Sequence, residues 1–230
     1  MKILVISLGG SILYGKDGKF NESHALAIAN LFSKISKSNK LLVVVGGGKL
    51  AREYASASRN RQNNEFFADR AAIKATRKNA KKMMAFLPKI AYPKVLRSFD
   101  EANLALSKNN LVFSGGMLEG MTTDSVSVLF AEMLGAKTVI NLGDTDGIYS
   151  SDPKKNPSAK KFSIMPHSQL VDLASKNDQR RAGTNFVFDL IASKLSARSN
   201  IELCFVNGKN LLEVENALLG KKFNGTIVRD

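Results

Sequence analysis

The chain has 230 residues, with 34 Lys+Arg against 20 Asp+Glu, a formal net charge of +14 and 44% hydrophobic residues. That length accommodates one large domain or two small ones, and the composition excludes a disordered, collagen-like or fibrous chain. One cysteine, Cys204, rules out an internal disulfide framework and a Cys-rich zinc site, and two histidines, His24 and His167, argue against a multi-histidine metal centre.

No run approaches the roughly 18 apolar residues of a membrane span. The opening segment Met1–Ser7 is too short in its apolar part for a signal peptide and reads as a first strand, so a soluble cytoplasmic protein is expected. The basic balance points to phosphate-bearing partners.

In chain order, short apolar runs alternate with segments of helical period. Ile3 to Ile6 predicts the first buried strand; the segment 22–37 then carries Ile28, Leu31, Phe32 and Ile35 at i, i+3, i+4, i+7 and predicts a helix. Leu41 to Val45 predicts a second strand. From Lys74 to Ser98 there are eight Lys/Arg and no acid, which is +8 of the total charge. Within it Lys74, Lys78 and Lys81 share one helix face opposite Ile73, Ala80, Met84 and Leu87, which reads as a solvated stripe or as a field for polyanions. No RNP-like aromatic pattern, zinc finger or long basic tail accompanies it, so nucleic acid is not the favoured partner. Leu111 to Phe113 predicts a third strand, 123–134 a helix with Val126, Leu129, Phe130 and Met133 on one face, and Thr138 to Leu142 a fourth strand. The stretch 143–166 holds three of the five prolines and is the natural division between an N-terminal lobe, 1–135, and a C-terminal lobe, 136–230, of a single domain. A helix over 185–198, a strand from Ile201 to Val206 and a last strand from Gly225 to Val228 complete the pattern. Such alternation calls for a mainly parallel sheet covered on both faces.

The residues just past the end of each strand are more informative. Gly9-Gly10-Ser11 stands after the first, Gly46-Gly47-Gly48-Lys49 after the second, and Ser114-Gly115-Gly116 with Gly120-Met121-Thr122-Thr123-Asp124 after the third. Gly143-Asp144-Thr145-Asp146-Gly147 stands after the fourth. In a parallel sheet all four lie at the carboxyl edge, where open α/β folds bind ligands, and glycine lets backbone N–H groups approach a polyanion. A Walker A loop is not present: Gly10 to Lys16 has the spacing, but Asp17 stands where the hydroxyl belongs and Gly18 opens a turn. Gly46 to Ala51 fits the looser dinucleotide pattern, which leaves an oxidoreductase open without accounting for the other three loops.

These segments, together with Leu50-Ala51-Arg52, Asp146-Gly147-Ile148-Tyr149, Asp152-Pro153 and Ala182-Gly183-Thr184-Asn185, resemble the amino acid kinase family, and within it the archaeal-type UMP kinases, in order over nearly the whole chain. The resemblance implies a carbamate-kinase-like, three-layer α/β/α sandwich, MgATP-dependent phosphoryl transfer to UMP, and a homohexamer. It implies that Gly9, Gly10, Ser11, Gly48, Arg52, Gly143, Asp144, Tyr149 and Asp152 bind ATP, with Gly10 and Arg52 catalytic. It implies that Gly47, Asp69 and the loop Met117, Leu118, Glu119, Gly120, Met121, Thr122 and Thr123 bind UMP, Asp69 through the ribose. Mg²⁺ arrives with ATP and no protein metal ligand is assigned.

Three positions depart from relatives. The lysine common two residues before the first double glycine is Ser7, the late-helix lysine of acetylglutamate kinases falls at Phe188-Asp189-Leu190, and the proline common before Gly120 is absent. The transition-state cation is therefore sought at Arg52, Lys49 or a lysine of 154–161. Isopentenyl phosphate kinases resemble the glycine loops but carry a histidine soon after the triple glycine, and 49–60 has none. An acetylglutamate-type kinase and, from a different class, a basic nucleic-acid-binding or nucleotide-sensing protein also stay open. His24 and His167 read as surface or cap residues, Cys204 as core, and Asp124 as a turn or orienting acid.

Overall fold

The first apolar run forms β1 (Lys2–Leu8), whose last five residues are all buried. A strand buried on both faces needs cover on both sides. The other strands are β2 (Asn39–Val45), β3 (Leu111–Ser114), β4 (Thr138–Gly143), β5 (Ile164–Met165), β6 (Glu202–Asn207) and β7 (Gly225–Val228). In this computed structural model, which describes residues 1–15, 17–151, 153, 156–177 and 188–230, they form one seven-stranded sheet in the order β3-β2-β1-β4-β6-β7-β5. β3, β2, β1, β4 and β6 are mutually parallel, while β7 runs antiparallel to β6 and parallel to β5.

Helices cover both faces. They are α1 (Glu22–Ser36), α2 (Gly48–Gln62), α3 (Glu65–Ala85), α4 (Glu101–Lys108), α5 (Thr123–Leu134), α6 (His167–Asn177), α7 (Leu190–Arg198) and α8 (Leu211–Leu218). The alternation of side chains along each strand divides the core in two. Leu4, Ile6 and Leu8 of β1 pack with Ile28 and Phe32 of α1, Met83 of α3 and Val214 of α8. Val5 points the other way, with Leu106 of α4, Val126 and Phe130 of α5 and Ala192 of α7. Local chemistry sets the helix ends. The side chains of Asn21, Asn64, Thr122, Asp189 and Asn210 cap α1, α3, α5, α7 and α8. Asn63, at φ 44°, closes α2 in the left-handed region and turns the chain straight into α3.

The expected three-layer fold with a mainly parallel sheet is present, and the helix over 123–134 has the expected bounds. Four details correct the sequence reading. The last helix starts at Leu190, because Asp189 is its cap; residues 178–187, which include Ala182 to Asn185, lie outside the described residues. The short β5 was not anticipated, nor was the antiparallel direction of β7. Helices α2, α4, α6 and α8 were not anticipated either. Finally, His167 does open a helix, but its ring is buried, with Nε2 at 2.9 Å from the Ile201 carbonyl and its own N–H donating to Asp230.

Candidate active site

Because β1, β2, β3 and β4 are parallel, the four glycine-bearing loops share the carboxyl edge of the sheet. Two of them pack backbone against backbone. A Cβ on Gly10 would lie 2.2 Å from the Gly48 nitrogen, and Gly48, at φ +55°, has no room for one either, with the Gly10 carbonyl carbon 2.5 Å away. The Gly9 N–H donates to Leu142 O at 2.9 Å and that of Gly46 to Leu8 O at 2.8 Å, so strand pairing uses them. Among the described residues no acceptor takes the N–H groups of Gly10, Ser11, Gly47 or Gly48. Unpaired amides that converge at the start of a helix, here α2, form an oxyanion site.

Beside this junction lies a cleft of about 270 Å³ lined by Ser11, Tyr14, Gly18, Lys49, Arg52 and Lys209. Lys49 is 3.9 Å from Glu53, a loose and exposed pair, and the cleft is otherwise lined by cations and neutral groups. Lys209 was missed by the sequence reading. Its signal was its place just after β6, a further parallel strand that ends at the same edge. A larger groove of about 420 Å³ between α1 and α8 is apolar, and its cation, Lys34, is paired with Glu215 at 2.7 Å. The smaller cleft is therefore the one with chemistry for a polyphosphate.

The loop after β3 is held by side chains of α3. Gly116 N–H donates to Thr76 Oγ1 at 2.8 Å, and Arg77 Nε donates to Gly116 O at 3.1 Å. Burial, then the like charge of Arg97, lowers the pKa of Arg77. Further along, Gly120 N–H donates to Asp69 Oδ2 at 2.8 Å and Arg70 Nε donates to Glu119 Oε1 at 2.8 Å. That hydrogen bond holds the Glu119 carboxyl below the usual carboxylate range. The Arg70 guanidinium also sits 4.7 Å from the centroid of Phe66. Asp69, Glu119 and Gly120 are thus brought together, Met117 packs partly into the core, and Leu118 is exposed.

Thr122 and Thr123 lie at the start of α5, with Thr122 Oγ1 accepting from the N–H groups of Asp124 and Ser125. The same hydroxyl donates to Asp189, the cap of α7, and Ser125 Oγ donates to Asp189 Oδ1 at 2.9 Å. Asp124 accepts at Oδ1 from Ser7 Oγ at 2.8 Å and from Asn141 Nδ2 at 2.9 Å. Burial, followed by the charge of Asp189, pushes its pKa from 3.8 up to about 7. Ser7 and Asp189 therefore act on one acid, the first by a hydrogen bond and the second by its charge. Among the described residues no group of three or more His, Cys, Asp or Glu could hold a metal.

Gly143 O accepts from Gly208 N–H at 2.8 Å, which ties the β4 and β6 loops. Asp144 is exposed, and Tyr149 OH donates to Asp146 at 2.7 Å. Lys161 pairs with Asp146 at 3.0 Å and also donates to Asn224, so it is engaged away from the cleft. Asp152, Lys154 and Lys155 lie outside the described residues.

Residues 2–207 match the profile of the amino acid kinase family. The chain is 40% identical over 228 residues to a uridylate kinase of Methanospirillum hungatei, covering 99% of this chain and 95% of that protein. It is similar to the crystal structure of uridylate kinase from Archaeoglobus fulgidus, with a TM-score of 0.85, 36% identity, and 99% and 100% of the two chains covered. A UMP kinase structure from Bacillus anthracis, at 23% identity and a TM-score of 0.81 over 100% and 96% of the chains, shares the fold.

Proposed function

The chain belongs to the amino acid kinase family, and from that premise we propose that it is a UMP kinase, which moves the γ-phosphoryl group of ATP to UMP and yields UDP and ADP on the route to UTP and CTP. The observation that carries this reading is the junction of the two glycine loops, with unpaired N–H groups beside a cationic cleft that Ser11 lines, in a chain that matches uridylate kinases over nearly its whole length.

A UMP phosphate is largely a dianion near neutral pH, its second pKa lying at about 6. It needs no catalytic base to attack. What the transfer needs is in-line placement and neutralised charge. In our reading residues 1–135 form the acceptor side and 136–230 the donor side of one domain. Gly47 N–H meets the acceptor phosphate, Asp69 the ribose, and 117–123 the nucleoside. Gly9, Gly10 and Ser11 line the ATP phosphates, Gly48 and Arg52 approach the transferred group, and Gly143, Asp144, Tyr149 and Asp152 hold the rest of ATP. Lys49 and Lys209 add positive charge to the same cleft. They bring cations to the phosphates from the residues that follow β2 and β6. Mg²⁺ would arrive with ATP and would neutralise phosphate charge there, with no residue of the chain assigned to hold it. No described helix is long and apolar enough to cross a membrane. A homohexamer in the cytoplasm is the working form this family reading supports, and sedimentation of the purified chain tests the assembly.

The function is tested by initial rates with MgATP over nucleoside monophosphates, isopentenyl phosphate and N-acetylglutamate. The expected result is UDP formation with kcat/KM for UMP above that for every other acceptor. Faster turnover of any other acceptor overturns the assignment, and tight salt-sensitive RNA binding without kinase activity would support a nucleic-acid-binding protein instead.

A further inference from the structure

We propose that Asn79 is a positioning residue for phosphoryl transfer: it holds the two carbonyls of the second glycine loop so that the following N–H groups face the phosphates. Asn79 lies on α3, has no exposed surface, and is bonded at both ends of its amide. Its Nδ2 donates to Gly46 O at 2.9 Å and to Gly47 O at 3.1 Å. Its Oδ1 accepts from Tyr14 OH at 2.7 Å.

The planarity of the trans peptide gives this its consequence. The C=O of one residue and the N–H of the next point in opposite directions. Carbonyls of Gly46 and Gly47 drawn towards α3 therefore send the N–H groups of Gly47 and Gly48 away from it, and those are among the donors with no protein acceptor. Glycine needs such a hold more than other residues do, because it has the widest choice of backbone conformation. The Tyr14 hydroxyl fixes which end of the amide faces the loop. Burial, then the charge of Glu53, raises the Tyr14 pKa, so the phenol stays a donor. Tyr14 belongs to the turn after the first glycine loop, where it pairs with Phe20, and Lys82 of α3 lies over both rings, 5.5 Å and 4.4 Å from their centroids. One side chain thus joins the two phosphate loops.

This inference rests on the kinase reading, and the experiment separates the two. Asn79→Asp keeps the shape but turns both donors into acceptors that face carbonyls. Kinetics of the full chain with MgATP and UMP, from pH 5.5 to 8.5, should show kcat at pH 8 reduced about 10- to 100-fold, less than the roughly 100- to 1,000-fold for an oxyanion donor removed outright, because the Gly47 and Gly48 N–H groups are misaimed and not lost. KM for ATP and UMP should change less than kcat. As pH falls the introduced carboxyl takes up a proton and regains one donor, so kcat relative to wild type should recover at least about fivefold. Tyr14, with its raised pKa, stays a donor over this range, and the other charged groups around the site, Lys82 and Glu53, are common to wild type and variant. Asn79→Leu should lose kcat without recovery at any pH. Tyr14→Phe keeps the test decisive if the buried variants misfold, with an expected kcat loss of about threefold from the freed amide. Wild-type kcat in Tyr14→Phe and in the Asp variant, or a pH-independent loss that tracks the melting temperature, overturns the proposal. A wild-type chain inactive towards UMP overturns the kinase reading instead.

Discussion

The two ends of α3 grip the site in opposite ways. Its C-terminal half presents Thr76 and Asn79, both buried, to the backbones of the third and second glycine loops. Its N-terminal half presents Asp69 and Arg70, both with solvent access, to Gly120 and Glu119 at the tip of the acceptor loop. Buried polar contacts are costly to break, since they leave a desolvated group without a partner, whereas an exposed ion pair contributes about 0–1 kcal/mol. The difference gives the second and third glycine loops a stiff hold and leaves the 119–120 tip held lightly; in the proposed function these are the phosphate floor and the acceptor loop. Asp69 accepts from the loop through one carboxylate oxygen, and in the proposed function the other would take the ribose.

The largest effect should come from the floor. Gly10→Ala places a methyl where the Gly48 nitrogen stands 2.2 Å away. Forcing these loops apart should cost about 1–3 kcal/mol of stability and reduce kcat by about 1,000-fold. Thermal melts and single-turnover rates would show it; near-normal turnover would mean that the loop junction is not the phosphate floor.

Asp124 comes next, and its effect on stability has a definite sign. With its folded pKa raised to about 7 from 3.8, folding takes up a proton. The stabilisation is complete below the unfolded pKa and is lost as pH rises towards 7, with an upper limit of roughly 4 kcal/mol. Partial exposure of the residue screens part of that. Asp124→Asn should flatten the pH dependence of urea unfolding between pH 4 and 7 and leave the variant relatively more stable at pH 8. Parallel curves for the two proteins would remove Asp124 as the cause.

On the lightly held side the effects should be smaller and confined to the acceptor. Asp69→Asn is expected to raise KM for UMP about 10-fold, far more than KM for ATP, in line with a weakened charge-assisted hydrogen bond. Equal effects on both would dissociate Asp69 from the ribose. Arg70→Gln should raise KM for UMP only about threefold and leave the melting temperature within about 2 °C, since the pair with Glu119 is exposed. A large loss of stability would show that the loop is not lightly held. The smallest effect belongs to the exposed stripe Lys74, Lys78 and Lys81. Changing all three to Gln should reduce the salt dependence of kcat/KM if the stripe steers nucleotides. An unchanged salt profile leaves them a solvated face.

The difference between the two ends of α3 also marks how far the sequence could be read. β1 and β2 were legible because each carries a continuous apolar run, β4 because Val139, Ile140 and Leu142 outweigh its single Asn141, and 123–134 because its apolar residues keep helical spacing between Thr122 and Gly135. α2 was not, since Ala55 is its one buried residue and its apolar period is therefore weak. The two-residue β5 and the reversed β7 depend on pairing across the sheet, which no local pattern records. At the site, glycines in sequence mark the loops, but the groups that hold them are remote. Asn79 is 33 residues from Gly46, and Asp189 is 67 residues from Thr122. Lys209 looks like any surface lysine until β6 is seen beside β4.

The most direct test of this account is a structure of the chain with UMP bound. The account predicts the acceptor phosphate within hydrogen-bonding distance of Gly47 N–H, the ribose on Asp69, and the loop 117–123 closed over the nucleoside. A UMP phosphate seated instead between Lys49 and Lys209, with Asp69 touching only Gly120, would contradict it.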